Sequence, residues 1–195
     1  KGMIKYYGYL SSGQMGNRTP DIDSAVLNNA FSLENLNIYQ NLNIRENLGN
    51  GWKLFSGLSV STNKDDISNE LQDADNKQQI ITNPIGYAFK NYKLLSKSLY
   101  SQVRLVMEKR ISGLNVVRFG SDYFNSNEKS TYTNYEGKEF KTDIKENLYA
   151  AFAETDFYLS KNIAAKVGAR LEHSQVIDKW NLAPRISLAY KLKNN

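Results

Sequence analysis

Five charged side chains, Arg170, Glu172, Glu154, Lys166 and Arg185, fall on one parity of three consecutive alternating stretches. Opposite charges on one face of neighbouring strands can stabilise a sheet by cross-strand pairing. They can also meet a partner domain or a passing anionic ligand. Neither role is catalysis. His173 is the only histidine and is followed by Ser174, but adjacent residues on a strand point to opposite faces and cannot form a Ser/His couple. One histidine and no cysteine build no zinc triad, disulfide or thiolate nucleophile. The acidic stretch KDDISNELQDADNK (64–77) gathers Asp65, Asp66, Asp73, Asp75 and Asn76. It lacks the turn glycine and spaced glutamate of a calcium loop, so it reads as a solvated loop. No glycine-containing turn has the spacing of a phosphate-cradling loop. We therefore expect no enzyme, no cofactor and no metal site. Tyr6 and Tyr7 in GMIKYYGYL, and Tyr132 and Tyr135 in STYTNYEG, are expected in outward loops. There they would either stack on a sugar or aromatic ligand or anchor an interface.

The elements that carry these residues alternate with period two, the strand period. In WNLAPRISLAYKL, Leu182, Pro184, Ile186, Leu188, Tyr190 and Leu192 oppose Asn181, Ala183, Arg185, Ser187, Ala189 and Lys191. The same pattern runs through Leu36 to Glu46. It resumes from Trp52 after Leu48-Gly49-Asn50-Gly51, a strong hairpin signal. It returns around Leu95 to Glu108, Val117 to Tyr123, Tyr149 to Leu159 and Ile163 to Glu172, with a ragged first strand around Ile4 to Leu10. About eight long strands result. Their connections at Gly49-Asn50, Ser112-Gly113 and Lys161-Asn162 are tight. Residues 12–34, 64–92 and 125–144 read as long polar loops, and only the link near Asp178 breaks the rule by being short.

Mean hydropathy is −0.56, and no uninterrupted apolar run is long enough for a transmembrane helix. A membrane barrel fits such values because its strands alternate. The charge of +5 is spread along the chain, so no nucleic-acid stripe is present. The polar parity mixes charges with small residues such as Gly57, Ser59, Gly120 and Gly168. The apolar parity is nearly charge-free in mid-strand, its exceptions Lys97 and Lys109 lying near strand ends. A lysine or arginine facing lipid at the midplane would cost about 2–4 kcal/mol. Trp52, Phe157 and Tyr190 flank the short turns, where an interfacial girdle belongs. Tyr100 and Tyr123 stand nearer the loop ends. These features favour an all-β, antiparallel up-and-down transmembrane β-barrel over a soluble β-sandwich.

The pair VGARLE (167–172) and NLAPRISLAYKL (181–192), with the hairpin LNIYQNLNIRENLGNGWKLFSGLSVSTN (36–63), resembles the β-barrel of TonB-dependent outer-membrane receptors. The resemblance spans most of the chain and is one of strand order and style. It implies residues 1–195 to be part of one outer-membrane barrel domain of about 22 strands. It also implies import of a metal chelate, vitamin or oligosaccharide. The implied partners are the lipid bilayer, the receptor's own plug domain and the TonB energy-transducing complex; a capping surface lipoprotein is left open. The five charged residues above would then contact plug or ligand. The chain opens at Lys1 in mid-strand and stops at Lys193-Asn194-Asn195, which reads as the start of a turn. No plug or energy-coupling box is found in it, so an internal barrel segment is expected. The alternatives are a small structural or adhesive eight-stranded barrel and a soluble carbohydrate-binding sandwich.

Overall fold

The computed structural model describes residues 2–192; the turn expected at 193–195 lies outside them. Eight strands follow one another: β1 (Met3–Pro20), β2 (Asn28–Gly49), β3 (Trp52–Gln72), β4 (Tyr92–Ser112), β5 (Asn115–Thr133), β6 (Glu139–Tyr158), β7 (Ile163–Ser174) and β8 (Lys179–Tyr190). They form one sheet in chain order, each strand antiparallel to the next. The up-and-down architecture is as expected. Neither alternative survives: the described strands make one sheet instead of two packed layers, and β1 and β8 are its open ends.

Register carries one parity across the whole sheet. Lys53, Glu108, Arg118, Glu154, Gly168 and Arg185 stand opposite one another in a row from β3 to β8. Leu58, Val103, Tyr123, Tyr149, His173 and Trp180 make a row on the other face. A one-residue slip anywhere would exchange the two faces. The turn from β2 to β3 fixes that register with three consecutive positive-φ residues, Gly49 (86°), Asn50 (50°) and Gly51 (77°). Such angles suit glycine and asparagine.

The long loops are the main correction. β1 and β2 are joined by residues 21–27 alone, and β5 and β6 by residues 134–138. Only 73–91 is a long connection, holding a short 3-10 helix, Ile85–Lys90. The polar stretches read as loops are mostly strand: Gly13 pairs with Asn35, Asp65 with Ser96 and Lys129 with Asp143. The physical reason is solvation. About 9–11 residues cross a membrane as a tilted strand, whereas β1 to β6 have 18 to 22. Beyond the apolar band both faces are wet, so alternation fades while the backbone ladder continues.

The sheet has almost no core of its own. Leu58 and Val103 are each 44% exposed, and Ile186 is 81% exposed. The few buried apolar residues include Leu27, Leu71 and Ala88, which gather where the 21–27 turn meets the 73–91 loop.

Candidate functional site: the charged face and the loop end

The charged face holds two ion networks. In the first, Arg118 Nε is 2.8 Å from Glu108 Oε2, and its Nη1 is 2.6 Å from Asp156 Oδ2 and 3.6 Å from Glu154 Oε1. Lys53 Nζ reaches the other oxygen of Glu108 at 2.9 Å. Lys166 Nζ lies 3.4 Å from both Glu154 and Asp156. In the second, Arg170 Nη1 is 2.5 Å from Asp122 Oδ2 and its Nε is 3.1 Å from Glu172. The other Asp122 oxygen, Oδ1, has no hydrogen bond and lies 3.4 Å from Arg104 Nε, an ion pair by distance alone. Asp122 is buried although charged, and partnering is what makes that tolerable.

Of the five charged residues expected on this face, four are joined in pairs. Arg185 stands opposite Gly168 with no ion pair among the described residues. It lines a cavity of about 510 Å³ with Gln102, Arg104, Asp122, Lys166 and Arg170. The sequence reading did not single out Arg118, Asp122, Glu108 or Asp156 as site residues. The parity argument would have found Asp156 on its own three strands and the others once extended to five.

Two glycines make the face possible. A Cβ on Gly120 would lie 2.4 Å from the Leu105 carbonyl oxygen and 2.9 Å from the Phe152 ring. One on Gly168 would lie 2.7 Å from Glu154 Cβ. Gly120 thus admits the Phe152 ring, over which Arg104 sits 5.6 Å from the centroid, and Gly168 leaves room for Glu154.

Tyr6 and Tyr7 correct the loop expectation. They lie inside β1 near the short-turn end, opposite Leu42 and Asn41, and so on opposite faces. Tyr7, Tyr9 and Tyr39 cluster on the charged face with centroids 5.5 to 6.2 Å apart. The loop expectation failed because a ragged start hides a strand whose two faces are both polar in part. Tyr132 does lie at the loop end, though within β5, between Tyr92 (6.1 Å) and Phe140 (6.2 Å). Tyr135 sits in the 134–138 turn, edge-on to Phe89 at 5.8 Å. Tyr100 faces the charged side, opposite Ser61 and stacked on Phe124, instead of joining the outer aromatics.

Trp52, Phe157 and Tyr190 all lie on the apolar parity at the short-turn end, paired with Lys109, Ala165 and Ile163. Lys109 bends to that end, its Nζ 5.0 Å from the Trp52 ring and donating to Asn50 O at 2.6 Å. A second aromatic group lies further up the same face; it includes Tyr123, expected there as a strand-end aromatic, and three neighbours that the sequence reading did not place with it. Tyr123 and Tyr149 are 5.1 Å apart, and His173 and Trp180 4.8 Å apart. His173 Nε2 meets Asp178 at 3.2 Å, while the Ser174 hydroxyl donates to Glu146 on the other face.

At the loop end Lys90 joins two connections. Its Nζ lies 2.5 Å from Asp21 Oδ2 and 2.7 Å from Asp23 Oδ2. Asn29 Nδ2 donates to Asp21 at 2.6 Å, and the Tyr87 hydroxyl to Asp23 O at 2.6 Å. Burial opposes ionisation of both partners, but it is outweighed. Hydrogen bonds from Lys90, the Asp23 N–H and Asn29 hold the Asp21 carboxyl below its usual range. The two aspartates raise the Lys90 ammonium above its own. The acidic stretch expected as a solvated loop is strand β3 up to Gln72, and only its end turns, where Asp73 Oδ1 accepts from the N–H groups of Asp75 and Lys77. Among the described residues no group of three or more His, Cys, Asp or Glu is placed to hold a metal ion.

Residues 4–195 match the TonB-dependent receptor-like β-barrel family. The fold is similar to that of the outer-membrane transporter YddB from Escherichia coli, with a TM-score of 0.58 at 9% identity, covering 94% of this chain and 29% of that one. No curated protein matches the sequence. The chain thus spans under a third of that transporter's length. With the family matched over nearly every residue and the sheet built as such a barrel wall is built, the chain belongs to the TonB-dependent receptor-like β-barrel family of the outer membrane.

Proposed function

We propose that residues 1–195 are part of one barrel domain of an energy-coupled receptor that imports a scarce ligand: a metal chelate, a vitamin or an oligosaccharide. The observation that carries this reading is the pair of open edges. Among the described residues β1 and β8, of 18 and 12 residues, each have a neighbour on one side only. In lipid every unmet N–H or C=O costs several kcal/mol. Flanking strands would satisfy both edges, as in a barrel of about 22 strands with a plugged lumen.

In that barrel the charged face lines the lumen. The ion pairs of Arg170, Glu172, Glu154 and Lys166 hold the wall together first, and Arg185, without such a pair, is the one of the five open to plug or ligand. Tyr132 and Tyr135 stand at the loop end within reach of an arriving ligand. Trp52, Phe157 and Tyr190 form the girdle at the inner membrane–water boundary. The partners are the bilayer, the receptor's own plug, the TonB complex and, on the loop side, a surface lipoprotein.

Uptake of a panel of labelled metal chelates, cobalamin and oligosaccharides by cells expressing the full-length protein tests this. Saturable uptake of one class, lost when the proton gradient is collapsed, supports energy-coupled import. Uptake proportional to concentration and indifferent to the gradient means an open pore instead.

A further inference from the structure

The apolar parity carries one row of like charge. Lys64, Lys97 and Lys129 stand directly opposite one another on β3, β4 and β5, and all three are exposed. Like charges so placed destabilise a sheet. Lys129 has one acidic neighbour, Asp143 at 3.7 Å; Lys64 and Lys97 have no ion pair among the described residues. Lys145, opposite Asn127, adds a fourth ammonium diagonal to Lys129 on the same face. Asp66, two residues from Lys64 on the same parity, is taken by Lys93 at 3.3 Å, so Lys64 and Lys97 keep no counter-ion of their own among the described residues and favour an anion that arrives from outside.

Its position says which anion. The lysines line a cleft of about 280 Å³ with Leu36, Leu99 and Asn127. On one side of the row the face is polar extension. On the other it becomes the apolar band: Leu99 (42% exposed), then Val60 (37%), then Leu58 and Val103 (44% each). Asn127, whose Oδ1 is buried, closes the cleft on the β5 side. The site therefore offers ammonium groups above and an apolar floor below. It lies on the face opposite the ion networks, out of reach of anything passing along that side.

We propose that this cleft binds the phosphate-bearing sugar headgroup of an anionic outer-leaflet lipid, with the acyl chains lying along Leu99, Val60, Leu58 and Val103. The proposal rests on the reading that the apolar face meets lipid. Lysine ammoniums, compact and three-fold donors, suit phosphate oxygens.

The test uses the full-length receptor in non-ionic detergent, with bis-phosphorylated lipid A and its dephosphorylated form as probes, bound lipid being counted by native mass spectrometry. Wild type is expected to prefer the phosphorylated lipid. Lys64→Gln, Lys97→Gln and Lys129→Gln should each weaken its binding about fivefold, and the triple variant by well over tenfold. The K138Q/K161Q variant should bind as wild type. If the triple variant does not fold, the single variants carry the comparison. Equal binding of the two lipids, or unchanged binding by the single variants, overturns the site. Displacement by millimolar inorganic phosphate means a free anion is the occupant and also overturns it. In parallel, a fluorophore on Leu58→Cys is placed in vesicles with brominated acyl chains. Quenching without phosphate preference sinks the headgroup site and leaves the lipid-facing reading standing; no quenching sinks both.

Discussion

Lys90 Nζ lies 2.5 Å from Asp21 Oδ2 across 69 positions of sequence, and the contact joins the β1–β2 turn to the β3–β4 loop. The Asp21 side chain is fully covered, so its charge depends on this partner. Around it Leu27, Leu71, Ala88 and Asn91 are also buried. The loop end is therefore one packed piece on an otherwise coreless sheet.

Removing the cation should release that piece. In Lys90→Met, Asp21 is left buried with its hydrogen bonds from Asn29 and the Asp23 N–H alone. A loss of about 1–3 kcal/mol is expected locally, so amides in 21–27 and 73–91 should exchange roughly ten- to a hundredfold faster. Amides in the mid-strand ladder should not change. Hydrogen exchange on the full-length protein in detergent reads this directly.

The same contact sets a pH dependence. Asp21 has a folded carboxyl held below its unfolded value of 3.8, so its contribution is present above that value and lost as pH falls through the folded pKa. Lys90 is raised above 10.5, so its contribution is complete below that value and lost only as pH rises past it. Loop protection should be flat from about pH 5 to pH 10 and fall below about pH 4. A midpoint near neutrality in a pH series of protease nicking within 73–91 would contradict the assignment.

Gly120 should tolerate no larger side chain. Valine there meets the Leu105 carbonyl and the Phe152 ring, and overpacking of this kind costs about 1–3 kcal/mol. Gly13→Val is the matched control, because nothing lies within 4 Å of its added Cβ. Thermal unfolding of the two variants should separate them, with Gly120→Val melting lower.

The two faces should answer differently to one charge. Leu58→Arg places a guanidinium on the apolar face at mid-strand, where about 2–4 kcal/mol is expected from lipid exposure. Ser59→Arg, one residue on, turns to the charged face opposite Gln102 and should cost little. Equal losses in folding yield into bilayers would mean the apolar face does not meet lipid.

Sequence alone determined the strands wherever one face had to differ from the other. Period-two alternation in Leu36 to Glu46 or Trp180 to Leu192 records an environment with two sides. The Gly49-Asn50-Gly51 turn records backbone angles that few other residues accept. It also placed Arg170, Glu172, Glu154 and Lys166 on one face, because parity is inherited along each strand. Tertiary structure decided the rest. The extensions at 12–20 and 125–133 carry no periodic signal, since strands wet on both sides select polar residues everywhere. The pairing of Arg118 with Asp156, or of Arg170 with Asp122, depends on register between strands up to 48 residues apart. Tyr6 and Tyr7 looked like a loop because their ragged stretch is polar in part on both faces, and only the pairing with Leu42 and Asn41 shows the strand. Local pattern fixes which way a side chain points, and only the assembled ladder fixes what it meets.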